Sequence, residues 1–186
     1  LPKGAVVGTS SFRRAAQILN LYPNLKIENL RGNVDTRLKK LDAGNFDAII
    51  LAAAGLERLG YSGRIKQILT EIIPAAGQGA LAIETRADDD EISFYVQKLN
   101  DAETCAAIEV EREFLTEVGG SCQIPVGVFA KVDGAQITVR AIISSVDGRQ
   151  VVRGHDSGIR GQELGKKLAT RLLSNGGKEI LDGLTA

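Results

Sequence analysis

The chain is 186 residues long, 44% hydrophobic and 25% charged, and its 23 Lys and Arg balance 23 Asp and Glu, so the formal net charge is zero. That length buries a core without disulfide staples and is enough for two small domains, and the charge balance excludes a disordered acidic segment and a uniformly basic nucleic-acid binder. No apolar run approaches the roughly 18 residues of a membrane span, and two cysteines outside any Cys-x-x-Cys spacing point to a reducing, cytoplasmic setting.

Residues 1–75 alternate β-like runs with amphipathic helical patterns, which predicts a parallel α/β layer. Ala5-Val6-Val7 reads as a strand and Gly8-Thr9-Ser10-Ser11 as a turn ending in an N-cap. Phe12, Ala15, Ala16 and Leu19 then form the apolar face of a helix that stops before Pro23. A second strand is expected over 25–30. After Gly32 comes a helix with Val34, Leu38 and Leu41 on one face and Asp35 and Lys39 at ion-pair spacing. Residues 46–52 read as a buried strand, a short helix follows over 56–59, and Leu69, Ile72 and Ile73 close the unit before Pro74.

Residues 76–100 carry a glycine joint, Ala76-Gly77-Gln78-Gly79, a strand over 80–83, and a helix capped by the Asp88-Asp89-Asp90 run, with Ile92, Tyr95, Val96 and Leu99 on one face. This stretch is too small to fold alone and is expected to join a neighbouring body. From Asp101 the order helix, strands, helix predicts an α+β unit. Its first helix runs to about 117 with Cys105, Ile108 and Leu115 at helical spacing. A three-stranded antiparallel meander over 126–132, 136–143 and 150–153 turns at Asp133-Gly134 and Asp147-Gly148, and a helix over 162–174 covers it with Leu164, Leu168 and Leu172. Cys105 reads as a small core residue, and His155, the only histidine, as an exposed loop residue.

The neutral total conceals a division, because residues 1–75 hold eleven Lys and Arg against six Asp and Glu and the remainder twelve against seventeen. The turn Gly8-Thr9-Ser10-Ser11 is followed at once by Arg13 and Arg14, Arg31 follows the second strand, Arg37 lies one to two turns on, and Arg58 follows the third strand. A turn of this kind is either a plain N-cap with surface arginines or a cradle of N–H and hydroxyl donors at a helix N-terminus. Repetition at strand C-termini, where open α/β sheets bind ligands, points to the cradle, and several planar forks suit a ligand bearing multiple carboxylates. Cys122, between Gly119-Gly120-Ser121 and Gln123-Ile124-Pro125, reads as a loop thiol, either incidental or placed for covalent attachment. The lone histidine gives little support to a Cys–His dyad, and no residues cluster at metal-ligand spacing.

The runs Val7-Gly8-Thr9-Ser10-Ser11-Phe12-Arg13-Arg14, Leu30-Arg31-Gly32-Asn33-Val34-Asp35-Thr36-Arg37-Leu38, Asp47-Ala48-Ile49-Ile50-Leu51-Ala52, Ala54-Gly55-Leu56, Gly77-Gln78-Gly79-Ala80 and Gly119-Gly120-Ser121-Cys122-Gln123-Ile124-Pro125 resemble, in order and spacing, the porphobilinogen deaminase (hydroxymethylbilane synthase) family. The resemblance covers essentially the whole chain but begins partway into the family's sequence.

It implies an α/β fold with a periplasmic-binding-protein-like lobe over 1–75 as the family's second domain. Residues 76–100 would be a return segment of a truncated first domain, and 101–186 a third, α+β domain with a three-stranded antiparallel sheet on helices. It further implies a cytoplasmic, monomeric enzyme of heme and tetrapyrrole biosynthesis that joins four porphobilinogen molecules head to tail with release of ammonia. The reaction would be primed by a dipyrromethane cofactor bound through a thioether to Cys122, with no nucleic-acid or membrane partner. By motif match, Ser11, Arg13, Arg14 and Arg58 would contact cofactor and Arg31 and Arg37 substrate.

Two departures stand out. Ser121 occupies a position where the family has glycine. The catalytic aspartate belongs to the family's N-terminal domain and has no counterpart here, so the chain alone is expected to be inactive. With no methionine and a start at Leu1-Pro2, it is expected to have been processed, trimmed or cut from something larger. The rival readings are a non-catalytic solute- or anion-binding module and, less compatible with the cysteine loop, a transcriptional effector-binding domain.

Overall fold

The first two apolar runs are each followed by a polar residue, Ser11 and Asn33, that caps the next helix, whereas the third leads into its helix through Ala52 without a side-chain cap. In the computed structural model, which describes residues 1–119 and 124–185, β1 (Val6–Gly8) leads into α1 (Phe12–Leu21), β2 (Lys26–Glu28) into α2 (Val34–Asp42), and β3 (Ala48–Ile49) into α3 (Ala53–Arg58). The Ser11 hydroxyl accepts the Arg14 N–H at 3.4 Å and Asn33 Oδ1 accepts the Thr36 N–H at 2.9 Å, satisfying donors that a helix start leaves free. The strands pair in parallel in the order β2-β1-β3, which sets all three C-terminal ends along one edge.

The strands are shorter than the apolar runs that predicted them. Both outer strands pair only with β1, whose three residues limit the ladder, so 25–30 contracts to three residues and 46–52 to two. On α1 the buried residues are Arg13, Ala16, Gln17 and Ile18, while Phe12 is 47% exposed, so the inward face is one position away from the apolar one. Asp35 does not pair with Lys39; its Oδ1 accepts the Tyr61 hydroxyl at 2.6 Å.

Beyond a 3-10 turn at Ser62–Arg64, the chain continues without regular structure to α4 (Asp90–Val96), capped by Asp89, whose Oδ1 accepts the Ile92 N–H. The strand expected over 80–83 does not form, because no described strand lies alongside to pair with it; Leu81 is 77% exposed, and Ile92, Phe94, Tyr95 and Leu99 are exposed as well.

The C-terminal unit holds the largest core. Helix α5 (Ala102–Val118) is followed by β4 (Val126–Asp133), β5 (Gln136–Ser144), β6 (Val151–Gly158), α6 (Leu164–Leu172) and, past a kink, α7 (Lys178–Thr185). The sheet is antiparallel in the order β4-β5-β6. Because β5 offers partners as far as Ile137, opposite Gly158, β6 runs well past 153; His155 is exposed but sits in this strand opposite Arg140, not in a loop.

Phe114, Val128, Ile137, Val139, Ile143, Leu168 and Leu172 fill the space between sheet and helices, each worth about 1.5–3 kcal/mol of burial. Phe114 claims the centre, so α5 turns Ala106, Val110, Glu111 and Phe114 inward; of the predicted face, Leu115 packs partly buried against this core, while Cys105 and Ile108 are only half-buried at its margin. Cys105 is accordingly half-buried rather than in the core, with its Sγ 3.7 Å from Glu109 Oε1.

The two units touch along α1 and the segment before the glycine joint. Val128 N–H donates to the Pro74 carbonyl at 3.0 Å, and Asn20 Nδ2 donates to the Gly148 carbonyl, also at 3.0 Å. Among the described residues no helix is long and apolar enough to cross a membrane.

Candidate anion-binding site

At the C-terminal edge of the parallel sheet, backbone bonds lace the three strand ends together: Thr9 N–H to the Glu28 carbonyl at 3.0 Å, and Ile50 N–H to the Gly8 carbonyl at 3.1 Å. Gly8 has no room for a side chain, since a Cβ would meet the Phe46 ring at 2.8 Å. Gly32, with φ +121°, turns the second loop in a conformation that L side chains rarely adopt.

Onto this edge the fold delivers most of the sequence-predicted arginines. Arg14, on the first turn of α1, donates from Nη1 to the Ile50 carbonyl at 3.1 Å, and Arg37 donates from Nε to the Gly32 carbonyl at 2.7 Å. Burial, and then the charge of Arg37, lower the proton affinity of the Arg14 guanidinium, so these two cations lie within each other's field. Arg13 is 7% exposed; burial, followed by the Arg14 charge, brings it down to about 10, which leaves it protonated at neutral pH. Its Nη1 donates to the Ile73 carbonyl at 2.6 Å and its Nη2 to Gln78 Oε1 at 2.9 Å.

Two clefts border this edge. Arg13 and Arg14 line the larger, of about 970 Å³, together with apolar residues such as Ile49 and Ile50. Ser11 and Arg31 line the smaller, of about 380 Å³, with Thr9, Phe12 and Glu28. Arg58, the last residue of α3, is exposed and lines neither. Among the described residues none of Arg13, Arg14, Arg31, Arg37 and Arg58 forms an ion pair; of the arginines elsewhere, Arg64, Arg86, Arg149, Arg160 and Arg171 do, and Arg112, Arg140 and Arg153 do not. Each cleft also holds one carboxylate, Asp47 in the larger and Glu28 in the smaller, and neither forms an ion pair with these guanidiniums, so the arginines remain available to an incoming anion, whose carboxylate groups would fit their donor geometry.

Cys122 lies outside the described residues, as does Ser121. The flanks are fixed: α5 ends at Gly119 in the left-handed conformation, φ +69°, and Ser144 donates from both its N–H and its hydroxyl to the Pro125 carbonyl. Sequence reasoning missed three polar residues around the joint, namely Gln17, Gln78 and Glu111. Only Gln78 carried a local signal, the glycine on either side of it.

Residues 1–94 match the family model described as "Porphobilinogen deaminase, dipyromethane cofactor binding domain", and residues 105–174 match "Porphobilinogen deaminase, C-terminal domain". Curated proteins named porphobilinogen deaminase are similar over nearly the whole chain. Those of Exiguobacterium sp. (strain ATCC BAA-1283 / AT1b) and Brevibacillus brevis are each 50% identical over 184 residues, covering 97% of this chain and 60% of the relative. That of Prochlorococcus marinus is 46% identical over 185 residues, covering 97% and 58%. The chain thus spans about 60% of the length of the relatives it matches. With a mixed α/β architecture, an arginine-lined sheet edge and two family models covering most of its residues, this chain belongs to the porphobilinogen deaminase family.

Proposed function

We propose that the full-length protein is a hydroxymethylbilane synthase, a transferase that condenses four porphobilinogen molecules head to tail with loss of ammonia at each step. The observation that carries this reading is the set of arginines without ion pairs at the C-terminal edge of the parallel sheet, in a chain of this family. Porphobilinogen carries two carboxylates on an apolar pyrrole ring. Guanidiniums beside apolar walls suit that combination, because the forks take the carboxylates while the walls take the ring.

In this reading Arg31 and Arg37 hold substrate carboxylates, Ser11, Arg13, Arg14 and Arg58 hold cofactor carboxylates, and Cys122 is the attachment point. The dipyrromethane group supplies the nucleophilic pyrrole end from which the chain grows. The protein's part is to neutralise charge and to fix direction, which converts encounter into positioned reaction. Arg14 gains from an anion that relieves its repulsion with neighbouring guanidiniums.

Residues 1–75 form the family's second domain, a periplasmic-binding-protein-like lobe, and 101–186 the third domain. Residues 76–100 are a return segment that packs on the N-terminal part of the full-length protein; the exposure of Leu81, Phe94 and Leu99 supports that assignment. The enzyme works as a cytoplasmic monomer, and the 186-residue chain alone does not turn over substrate.

Intact-mass measurement of the purified full-length protein tests the reading. A dipyrromethane adduct that disappears in Cys122→Ser is expected. An adduct retained in the variant, or reversible dicarboxylate binding with no porphobilinogen turnover, overturns it in favour of a plain anion-binding module.

A further inference from the structure

Between the lobe and the C-terminal unit runs a connector, 73–79, held from both sides by buried polar side chains. On the lobe side Gln17 is fully buried on α1, and its amide closes a two-way pair with one residue: Nε2 donates to the Ile73 carbonyl at 3.0 Å and Oε1 accepts the Ile73 N–H at 2.8 Å. Arg13, one turn earlier on the same helix, adds its bonds to the Ile73 carbonyl and to Gln78. On the other side Glu111 is 5% exposed on α5 and splits its carboxylate: Oε2 accepts the Gly77 N–H at 2.7 Å, and Oε1 accepts the Ala130 N–H of β4 at 2.9 Å. No cation pairs with Glu111 among the described residues, so backbone donors alone compensate a buried carboxylate.

A buried polar group costs about 1–3 kcal/mol when left unpaired, and a lone buried carboxylate costs more. Apolar side chains at the same two places would leave the backbone groups of Ile73, Gly77 and Ala130 without these partners. What the polar pair adds is register: an amide and a carboxylate accept one arrangement of backbone donors, whereas apolar surfaces slide. The two helices joined this way are the ones that matter for chemistry. Helix α1 carries the anion turn at its N-terminus, and the sequence just after α5 contains Cys122.

We propose that Gln17 and Glu111 are positioning residues that clamp the connector between α1 and α5 and so fix the arginine-lined edge at the start of α1 relative to α5. The functional part of this inference rests on the reading of the preceding section. Gln17 touches Ile73 and Arg13, and Glu111 touches Gly77 and Ala130, so both act through the backbone they hold.

Two near-isosteric variants of the full-length protein test it. Gln17→Met keeps volume and leaves Ile73 without its partner, and Glu111→Gln keeps shape but has one carbonyl oxygen for two N–H donors. Hydrogen exchange at the Ile73 amide in the first variant and at the Gly77 or Ala130 amide in the second should speed by at least about tenfold. Covalent loading, read by intact mass, should stay at the wild-type level. Turnover per loaded molecule should fall by roughly 10- to 100-fold, the cost of misplacing reacting groups by about an ångström, with KM within about twofold of wild type.

A lower melting temperature with unchanged kcat per loaded molecule would show a merely structural role and overturn the proposal. If the wild-type protein neither loads nor turns over, it is the functional reading that falls. The clamp then stands or falls on exchange alone, and unchanged exchange at all three amides in both variants overturns it.

Discussion

Replacing Gly148 with alanine should separate helix α1 from the C-terminal hairpin, and the structure allows the cost to be worked out against an internal control. Gly148 has φ +71° at the β5–β6 turn, and a Cβ there would stand 2.2 Å from the Ala16 carbonyl oxygen and 3.0 Å from the Asn20 nitrogen. Ordinary contact begins near 3.4 Å, so the hairpin tip would have to retreat by about 1.2 Å from a backbone that cannot rotate away. That retreat also stretches the Asn20 Nδ2 bond to the Gly148 carbonyl, now 3.0 Å. Left-handed alanine costs about 1–2 kcal/mol, overpacking about 1–3 kcal/mol and the weakened hydrogen bond about 0.5–1.5 kcal/mol, for a total of about 2.5–6.5 kcal/mol. Gly134 turns the other hairpin at φ +59° with nothing within 4 Å of its Cβ, so Gly134→Ala should cost only the backbone share of about 1–2 kcal/mol. Urea unfolding of both variants, compared at equal m-value, isolates the contact with α1 as the difference. A Gly148→Ala loss no larger than that of Gly134→Ala would refute the close packing of α1 on the hairpin.

Arg31 is exposed, so Arg31→Leu should shift stability by less than about 0.5 kcal/mol while weakening binding of a dicarboxylate probe by roughly tenfold or more, the worth of a charged hydrogen bond; calorimetry showing unchanged affinity would remove it from the site. Glu111 has its pKa raised, by burial against the pull of the Gly77 and Ala130 N–H groups, so its protonated form is favoured in the fold. Its contribution is therefore most favourable below the ordinary carboxylate range and is lost as pH rises through the raised value. The stability advantage of wild type over Glu111→Gln should accordingly shrink as pH rises through and above the ordinary carboxylate range, as denaturant titrations at several pH values would show. The exposed Leu81, Ile83, Phe94 and Tyr95 should make the 186-residue chain bind an apolar dye, with fluorescence falling in a Leu81→Lys, Phe94→Lys double variant; equal fluorescence would mean that these side chains are covered.

The candidate anion site was legible because its parts are local. A glycine and hydroxyl turn after a strand, an N-cap and the arginines that follow each lie within a few residues, and parallel pairing then aligns the three loops without further instruction. The meander was legible for the same reason, each Asp-Gly pair turning one strand into the next. The expected strand over 80–83 failed on a non-local requirement: an apolar run becomes a strand only beside a partner.

Helix α1 shows where periodicity misleads. Its apolar residues Phe12, Ala15 and Leu19 line the smaller cleft, while the face turned inward contains Arg13 and Gln17, which any hydrophobic pattern assigns to solvent. Those side chains are buried because their partners arrive from far along the chain: Gln17 meets Ile73 across 56 positions, and Gly77 meets Glu111 across 34. A buried amide or carboxylate whose partner is a backbone group carries no sequence signature at either end, since every residue except proline offers the same N–H. Residues that recognise a ligand therefore announce themselves by type and spacing, whereas residues that hold two recognition elements in register become visible only when the chain is folded.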